Sequence, residues 1–507
     1  INKDYIILYY TIMASTTTTD LAKQYQRKSD KEHILDNPDT YIGSVENVDA
    51  NMWVYDDNEN AIKYKTIEYI PGLYKLFDEG IVNCRDHVIR MINSPILDKK
   101  FVSQINVNVE KDLITFYNDG NGIDIAKHPE YDIWIPEMIF GHLRTSTNYD
   151  KTEKKIVGGK NGFGFKLVLI WSTYGRVETV DHIRGLKYVQ EFHSNLDTLD
   201  PPVITKCKST KPYTKVSFKP DYKRFGIEGM SQDMLDMLKR RTYDIAAVSD
   251  QSVKKIKVFW NDVQVPVRNF QHYVDLYIGS KGEYKRFHEA HDERWEYVVA
   301  LSPTQEFMHV SFVNGISTSK GGKHVDYIMG QITRKLCDYI EKKKKIRVNP
   351  SSIREQLILF LRCDVENPSF DSQTKDYMNT PFAKFGSACN VTDGFIDRIA
   401  KMGVMDTACS LSEIKEQRIA KKTDGTKTKT IRGIPNFIDA NFAGTHQSKE
   451  CILILCEGLS AMSGIVSGLS SDDRNIIGIY PLKGKLLNVR GEQMKRISEN
   501  KEINDIK

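Results

Sequence analysis

None of the eight cysteines forms a C-x-x-C pair, and no Cys/His cluster has zinc spacing; they are scattered at positions 84, 207, 337, 363, 389, 409, 451 and 456. That excludes a small disulfide-built domain and a zinc finger, and predicts reduced thiols in an intracellular protein. No run reaches the ~18 apolar residues needed for a membrane-spanning helix, so no membrane partner is expected. Charge of one sign is not in excess: 72 Lys+Arg stand against 67 Asp+Glu, a net of +5, so any surface for a polyanion has to be local. Internal repeats are absent, and so is a secretory signal. The opening INKDYIILYYTIM has a short apolar run with acidic flanks, and Met13 begins the polar MASTTTTD. Residues 1–19 therefore read as an extension or a disordered segment. What remains, 40% hydrophobic and 27% charged over 507 residues, suffices for two to four globular domains.

Glycine is locally abundant. The stretch IVGGKNGFGFKL, residues 156–167, carries Gly158, Gly159, Gly162 and Gly164. A helix interior would not tolerate this, since each glycine costs about 1 kcal/mol against alanine. Bare backbone N–H groups in such loops converge on phosphates. Two familiar phosphate loops fail the test. Gly159 and Gly164 have P-loop spacing, but Phe165 and Lys166 follow instead of Lys-Ser/Thr. Gly162 and Gly164 begin a G-x-G-x-x-G, but Leu167 stands at the third glycine. The loop is either a tight turn or a phosphate cradle of another kind.

The periodicity of Leu73, Leu76, Phe77, Ile81, Cys84, Val88, Met91 and Ile92 predicts an amphipathic helix over 73–92. Glu79, Asn83 and His87, four residues apart, stack on its other face. QINVNVE and LITFYN predict a β-hairpin ending in NDGNG, and FKLVLIWSTYG a helix after the glycine loop. A second β-rich block starts near residue 250 with the strand–turn–strand KKIKVFWNDVQVPV, then WEYVVALS and MHVSFVNG. Lys323 to Lys345 is a helix ending in the basic run Lys342, Lys343, Lys344, Lys345. LILFLRC is a buried strand before the polar loop SFDSQTK. Residues 410–432 read as a linker or exposed helix, and CILILCEGLSA as a short buried strand running into a carboxylate.

A nucleotide site without a P-loop needs a base-reading acceptor, a metal ligand, a phosphate cradle and a group that orients water. Asn118 or Asp119 can accept from an exocyclic amine; Asn83 offers a neutral oxygen to Mg²⁺; the glycines wrap phosphates; Glu79 can polarise water. The competing interpretation of the helix residues is an ordinary solvated face.

The ordered set FDEGIVN, NDGNGI, GHLRTSTNYDKTEKKIVGGKNGFGFKL, NGISTSKGGKHVDYI, NPSFDSQTK, GIPNFIDAN, LILCEGLSA and PLKGKLLNVR resembles the type IIA DNA topoisomerases of eukaryotes and large DNA viruses, over roughly residues 20–507. The resemblance implies an α/β fold built of a GHKL (Bergerat-type, α+β sandwich) ATPase domain over 20–247, a β-α transducer domain over 248–405, a linker over 406–432 and the start of a TOPRIM domain over 433–507. It implies Glu79 as general base and Asn83 as ligand of the Mg²⁺ that accompanies ATP. Asn118, with Asp119 beside it, would read adenine, and Ser146, Thr147 and Asn148 would meet ribose and phosphate. Gly159, Lys160, Asn161, Gly162, Phe163, Gly164, Phe165 and Lys166 would form a lid over the triphosphate. Gln373, Thr374 and Lys375 would reach in from the second domain, with Lys375 on the γ-phosphate as a second catalytic group. Tyr25 would reach a partner's nucleotide in an ATP-driven homodimer.

The same resemblance puts double-stranded DNA against Lys342–Lys345 and against Lys483, Lys485 and Asn488, and a second Mg²⁺ on Glu457. Leu459 stands where the family usually has aspartate. The paired aspartates and the DNA-attacking tyrosine of the family are not found within these residues. The expected function is the ATP-hydrolysing, dimerising gate that drives one duplex through a break in another, in a nucleus, host cell or virion. Alternatives are a MutL-like or chaperone-like ATPase, which the EGLSA and QTK segments argue against, or a non-hydrolysing DNA clamp.

Overall fold

The computed structural model describes residues 25, 27–145, 154–159, 163–208, 211–249, 254–304, 306–405, 408–409, 434, 436–482, 490 and 501–506. The expected extension at 1–19, the linker at 410–432, and Ser146, Thr147, Asn148, Lys160, Asn161, Gly162, Lys483, Lys485 and Asn488 lie outside these residues.

Before Gly43 stands a short helix, α1 (Asp30–Asp36). Ser29 caps it: its side chain accepts from Glu32 N while Glu32 returns a bond to the Ser29 backbone. The S-x-x-E spelling of that capping box was available in SDKE. A long hairpin follows, β1 (Val48–Asp56) with β2 (Ala61–Tyr69).

Helix α2 (Pro71–Asn93) begins with Pro71, whose fixed φ suits a first turn, and ends at Ser94, held extended by the following proline. Its apolar stripe lies on a nine-stranded sheet. Along most of that sheet the strand order is β11 (Val263–Gln264), β10 (Lys257–Trp260), β3 (Gln104–Val109), β4 (Ile114–Asp119), β9 (Tyr213–Pro220), β5 (Ser172–Asp181), β6 (Leu186–His193) and β7 (Thr198–Leu199), with β8 (Val203–Lys206) also on β6. Strand β3 alternates buried and half-buried residues, as a strand with one core face should. Helices α3 (Gly164–Ile170) and α4 (Gln232–Val248) pack beside α2.

Two expectations need correction here. The helix through FKLVLIWSTYG stops at Ile170, and Ser172 already begins β5. Thr173, Val177, Thr179 and Val180 favour a strand paired on both sides, and a Cβ on Gly175 would stand 2.3 Å from a Leu169 methyl, so the strand crosses close under the helix. The strand–turn–strand at 257–264 was placed in the second β block. It completes the first sheet instead, with β10 parallel to β3.

The second block is a five-stranded sheet in the order β12 (Arg286–Asp292), β13 (Trp295–Leu301), β17 (Leu357–Cys363), β14 (Met308–Val313) and β15 (Ile316–Ser317). Strands β14 and β17 are parallel, joined through the long α6 (Lys323–Lys344). Between them lies β16 (Gly321–Gly322), which pairs with β18 (Tyr377–Met378). The sheet is covered on both faces, which explains the unbroken apolar run in LILFLRC. Leu357, Leu359 and Leu361 point into a core with α6. Ile358 and Phe360 point toward α5 (Phe270–Ile278), and there share the core of the first block.

A third unit pairs β19 (Ile452–Glu457) in parallel with β20 (Ile477–Leu482), bridged by α7 (Gly458–Gly468). The expected burial of the CILILC strand is corrected: Ile452, Leu453 and Leu455 are exposed, because among the described residues β19 pairs with β20 alone and its helix covers one face. None of the eight cysteines forms a disulfide. No helix among the described residues is long and apolar enough to cross a membrane.

Candidate active site

The polar side of α2 is not solvated. Lys75, Asp78, Glu79, Arg85 and Asp86 are all at least nine-tenths buried between the first sheet and the second block. Buried charges need partners, and each has them. Glu79 Oε1 accepts from Lys75 Nζ, four residues earlier, at 2.9 Å, and from Lys375 Nζ, 296 residues later, also at 2.9 Å. Asp78 accepts from Arg241 Nε at 2.7 Å, and Arg241 Nη2 donates to Gly315 O at 2.7 Å.

Burial alone would raise the Glu79 carboxyl. The Lys375 and Lys75 ammonium groups outweigh it and hold the pKa at about 2. Lys75 is pushed the other way: burial opposes its charge, but Glu79 and Asp78 raise its pKa.

Lys375 arrives on a turn built for it. Its N–H donates to Ser372 O at 3.2 Å, and its φ of +64° is left-handed, a conformation a non-glycine residue keeps only when its surroundings fix it. Strand β18 begins two residues later. Its backbone lies so close to Gly322 that a Cβ there would be 2.3 Å from Met378 O. Thr374 Oγ1 donates to Asp376 at 2.9 Å, and its methyl lies 3.4 Å from where a Gly43 Cβ would be. Gln373 is half-buried beside them.

The glycine loop comes to the same carboxylate from above. A Cβ on Gly164, at the start of α3, would stand 3.4 Å from Glu79 Oε2. The root of the loop is held by Asp86, whose carboxylate accepts from Gly158 N at 2.8 Å and Gly159 N at 2.9 Å. Lys166 is buried, with its Nζ donating to Thr145 O at 2.8 Å, and burial lowers its pKa to about 8. Phe163 packs half-buried on Tyr41. Phe165 is not brought to the site; it lies in the core against Phe140 and Phe218, because a helix starting at Gly164 points it inward.

Asn83, one turn beyond Glu79, is half-buried, and its side chain makes no hydrogen bond among the described residues. Asn118 is buried and donates from Nδ2 to Asp119 O, leaving Oδ1 as an acceptor. Asp119 is differently employed: its carboxylate accepts from Ser103 N at 2.7 Å, Gln104 N at 2.8 Å and the Ser103 hydroxyl, which ties the start of β3 to the end of β4. His87 lies under Gly120, and burial, with Arg90 nearby, lowers its pKa to about 3, so the ring is neutral.

Sequence reasoning missed Lys75 and Asp86. The signal was present, since positions 75, 79, 83 and 86 form one helical stripe. Arg241, on another helix, left no such trace.

The remaining candidates stand apart. Tyr25 is 74% exposed. Lys342–Lys345 are exposed at the end of α6, where Lys345 is left-handed and its N–H donates to Glu341 O. Glu457 is exposed at the end of β19 and belongs to no group of three or more carboxylates, histidines or cysteines with metal-ligand spacing among the described residues.

A family model described as DNA gyrase B matches residues 269–434. The DNA topoisomerase 2 of Candida glabrata is 41% identical over 502 residues, covering 96% of this chain and 35% of that protein. The chain thus spans about a third of the length of the curated relatives it matches. The crystal structure of the ATPase region of Saccharomyces cerevisiae topoisomerase II has a TM-score of 0.70 at 38% identity, over 80% of this chain and 100% of the other. The ATPase and transducer domains of the Balamuthia mandrillaris enzyme give 0.73 at 36%, over 78% and 99%.

Proposed function

The chain belongs to the DNA topoisomerase II family, and from that premise we propose that it binds and hydrolyses ATP and dimerises around it as a gate for duplex DNA. What carries this proposal is the meeting of Glu79 with Lys375, residues from two different blocks, on a buried carboxylate beside Gly164. A nucleotide placed there would have its adenine at Asn118, its phosphates against the glycine backbone and its terminal phosphate at Lys375.

Asn83 suits a magnesium ion that arrives with the phosphates, being a half-buried neutral amide with no side-chain hydrogen bond among the described residues. The ion would neutralise phosphate charge. Glu457 alone does not suit one, and no chemistry is assigned to it.

Glu79 would act on the attacking water. Held near pKa 2 by two lysines, it is a poor proton acceptor at neutral pH. If the Lys375 ammonium is drawn onto a γ-phosphate, one of those two charges leaves and the carboxyl becomes more basic. The base is then strongest when its substrate is in place. Loss of the γ-phosphate returns Lys375 to Glu79 and releases the pull on the second block. In the whole enzyme such alternation would drive one duplex through another. The first block would be the ATPase domain, the second the transducer, and Tyr25 would lie against the partner subunit's nucleotide.

Turnover and sedimentation test this together. Glu79→Ala is expected to abolish ATP hydrolysis while nucleotide-driven dimerisation survives; unchanged turnover would remove Glu79 as the base. Lys375→Ala is expected to fold and to hydrolyse ATP more slowly, and wild-type turnover there would remove the link between blocks. A clamp that never hydrolyses would show dimerisation without turnover in the unaltered chain.

A further inference from the structure

The stretch NGISTSKGG has no part in the chemistry above, yet its first two residues sit against the root of the glycine loop. Asn314 and Gly315 form the tight turn between β14 and β15, both left-handed, with φ of +51° and +75°. Asn314 is fully buried. Its amide is clamped to the end of the second sheet: Nδ2 donates to Val365 O at 2.9 Å and Oδ1 accepts from Val365 N at 2.8 Å. The same Nδ2 lies 3.3 Å from Val157 O, on the loop root. Gly315 presses on the Arg85 stem, where a Cβ would be 2.8 Å from Arg85 Cδ. The next residue, Ile316, lies 3.2 Å from where a Gly158 Cβ would be.

Arg85 completes the arrangement. One Nη donates to Asp364 of the second block at 2.6 Å and the other to Ile156 O at 3.2 Å. Asn367 closes the outer end, its N–H donating to Lys155 O at 2.9 Å and its Oδ1 accepting from Lys155 N at 3.3 Å. Within 155–159, then, the Lys155 and Val157 carbonyls are held from the second block, the Ile156 carbonyl by Arg85 of α2, and the Gly158 and Gly159 N–H groups by Asp86 of α2.

We propose that Asn314 directly, and Asp364 through Arg85, are positioning residues that latch the root of the glycine loop, 155–159, to the second sheet, so that the point from which the loop enters the nucleotide site is set by the placement of that sheet. The latch gives the second block a hold on the nucleotide besides Lys375. This rests on the ATP-binding function proposed above. Neither residue touches Glu79, Asn83 or Lys375, so the latch governs nucleotide affinity and leaves the hydrolytic step alone.

The test uses the full chain with Asp364→Asn, which keeps the side-chain shape, and Asn314→Ala. Asn314→Ala leaves Val365 and Val157 O without their partner, and Asp364→Asn removes the charge that holds Arg85, so the Kd for a non-hydrolysable ATP analogue and KM for ATP should rise about tenfold, with kcat at saturation within about twofold. Amide exchange over 154–159, measured without nucleotide, should be faster in both. Should Asn314→Ala fail to fold, Asp364→Asn decides alone. A folded variant with wild-type KM and wild-type exchange over 154–159 would overturn the latch, and so would an equal fall in kcat with KM unchanged. Unaltered chain that bound no ATP would instead sink the proposed function, since the exchange measurement reads the latch without nucleotide.

Discussion

At Glu79 two ammonium groups compete with burial, and their victory has a sign that can be measured. The carboxyl is held at about 2 against an ordinary glutamate value of about 4.3. A depressed carboxylate stabilises the fold fully above the unfolded value, and that contribution is lost as pH falls toward 2. Lys75→Met keeps the stem and removes one charge. The Glu79 pKa then rises, so the acid limb of the kcat/KM profile should move to higher pH, and acid unfolding should begin at a higher pH as well. An acid limb at the wild-type position would mean that Lys75 does not tune the base. Residues of this kind were unequally legible. Glu79 and Asn83 stood out by their spacing on one helix, and Lys75 and Asp86 shared that stripe without being noticed. Lys375 is a loop lysine whose surroundings in sequence are ordinary; only the resemblance singled it out, because its partner lies 296 positions away.

Elements place these residues, and α2 does so by lying unusually close to the sheet. Gly80, next to the carboxylate, lies against the Phe116 ring of β4; a Cβ there would be 2.1 Å from it. Gly80→Ala should gain about 1 kcal/mol of helix propensity, yet overpacking of this kind costs about 1–3 kcal/mol. The helix must also lift from the strand, carrying Glu79 away from Lys375. The expected result is a lower Tm and a larger loss of turnover than of stability; a more stable, fully active variant would contradict it. The same reasoning shows where sequence patterns suffice. Helix α2, the β3–β4 hairpin and α6 are spelled out by periods of 3.6 and 2. Capping at Ser29 was equally spelled, and overlooked. The close contacts of Gly80 with Phe116 and of Gly175 with Leu169 are tertiary facts; so are the sheet to which 257–264 belongs and the exposure of β19. Local pattern names an element, and its neighbours are set by the rest of the chain.

Across the whole molecule the charge is close to balanced, +5 over 507 residues, so attraction to a polyanion depends on where the cations sit. Four consecutive lysines, 342–345, end the longest helix of the second block and are exposed. Part of their presence has a local reason, since cations suit a helix C-terminus and each adds about 0.3–1 kcal/mol there. That reason weakens beyond the first charge or two. Under the proposed function, duplex DNA would supply the other reason. Each phosphate neutralised releases counterions and steepens the dependence of log K on log[salt] by about 0.9. Replacing all four lysines with alanine should therefore flatten that slope by up to about 3.6 and weaken duplex binding most at low salt. ATP turnover without DNA should stay near wild type, because α6 ends away from Glu79 and its cap, the Lys345 N–H on Glu341 O, is a backbone bond that alanine keeps. A slope unchanged by the replacement would confine the lysines to capping their helix, and the duplex would have to be held elsewhere.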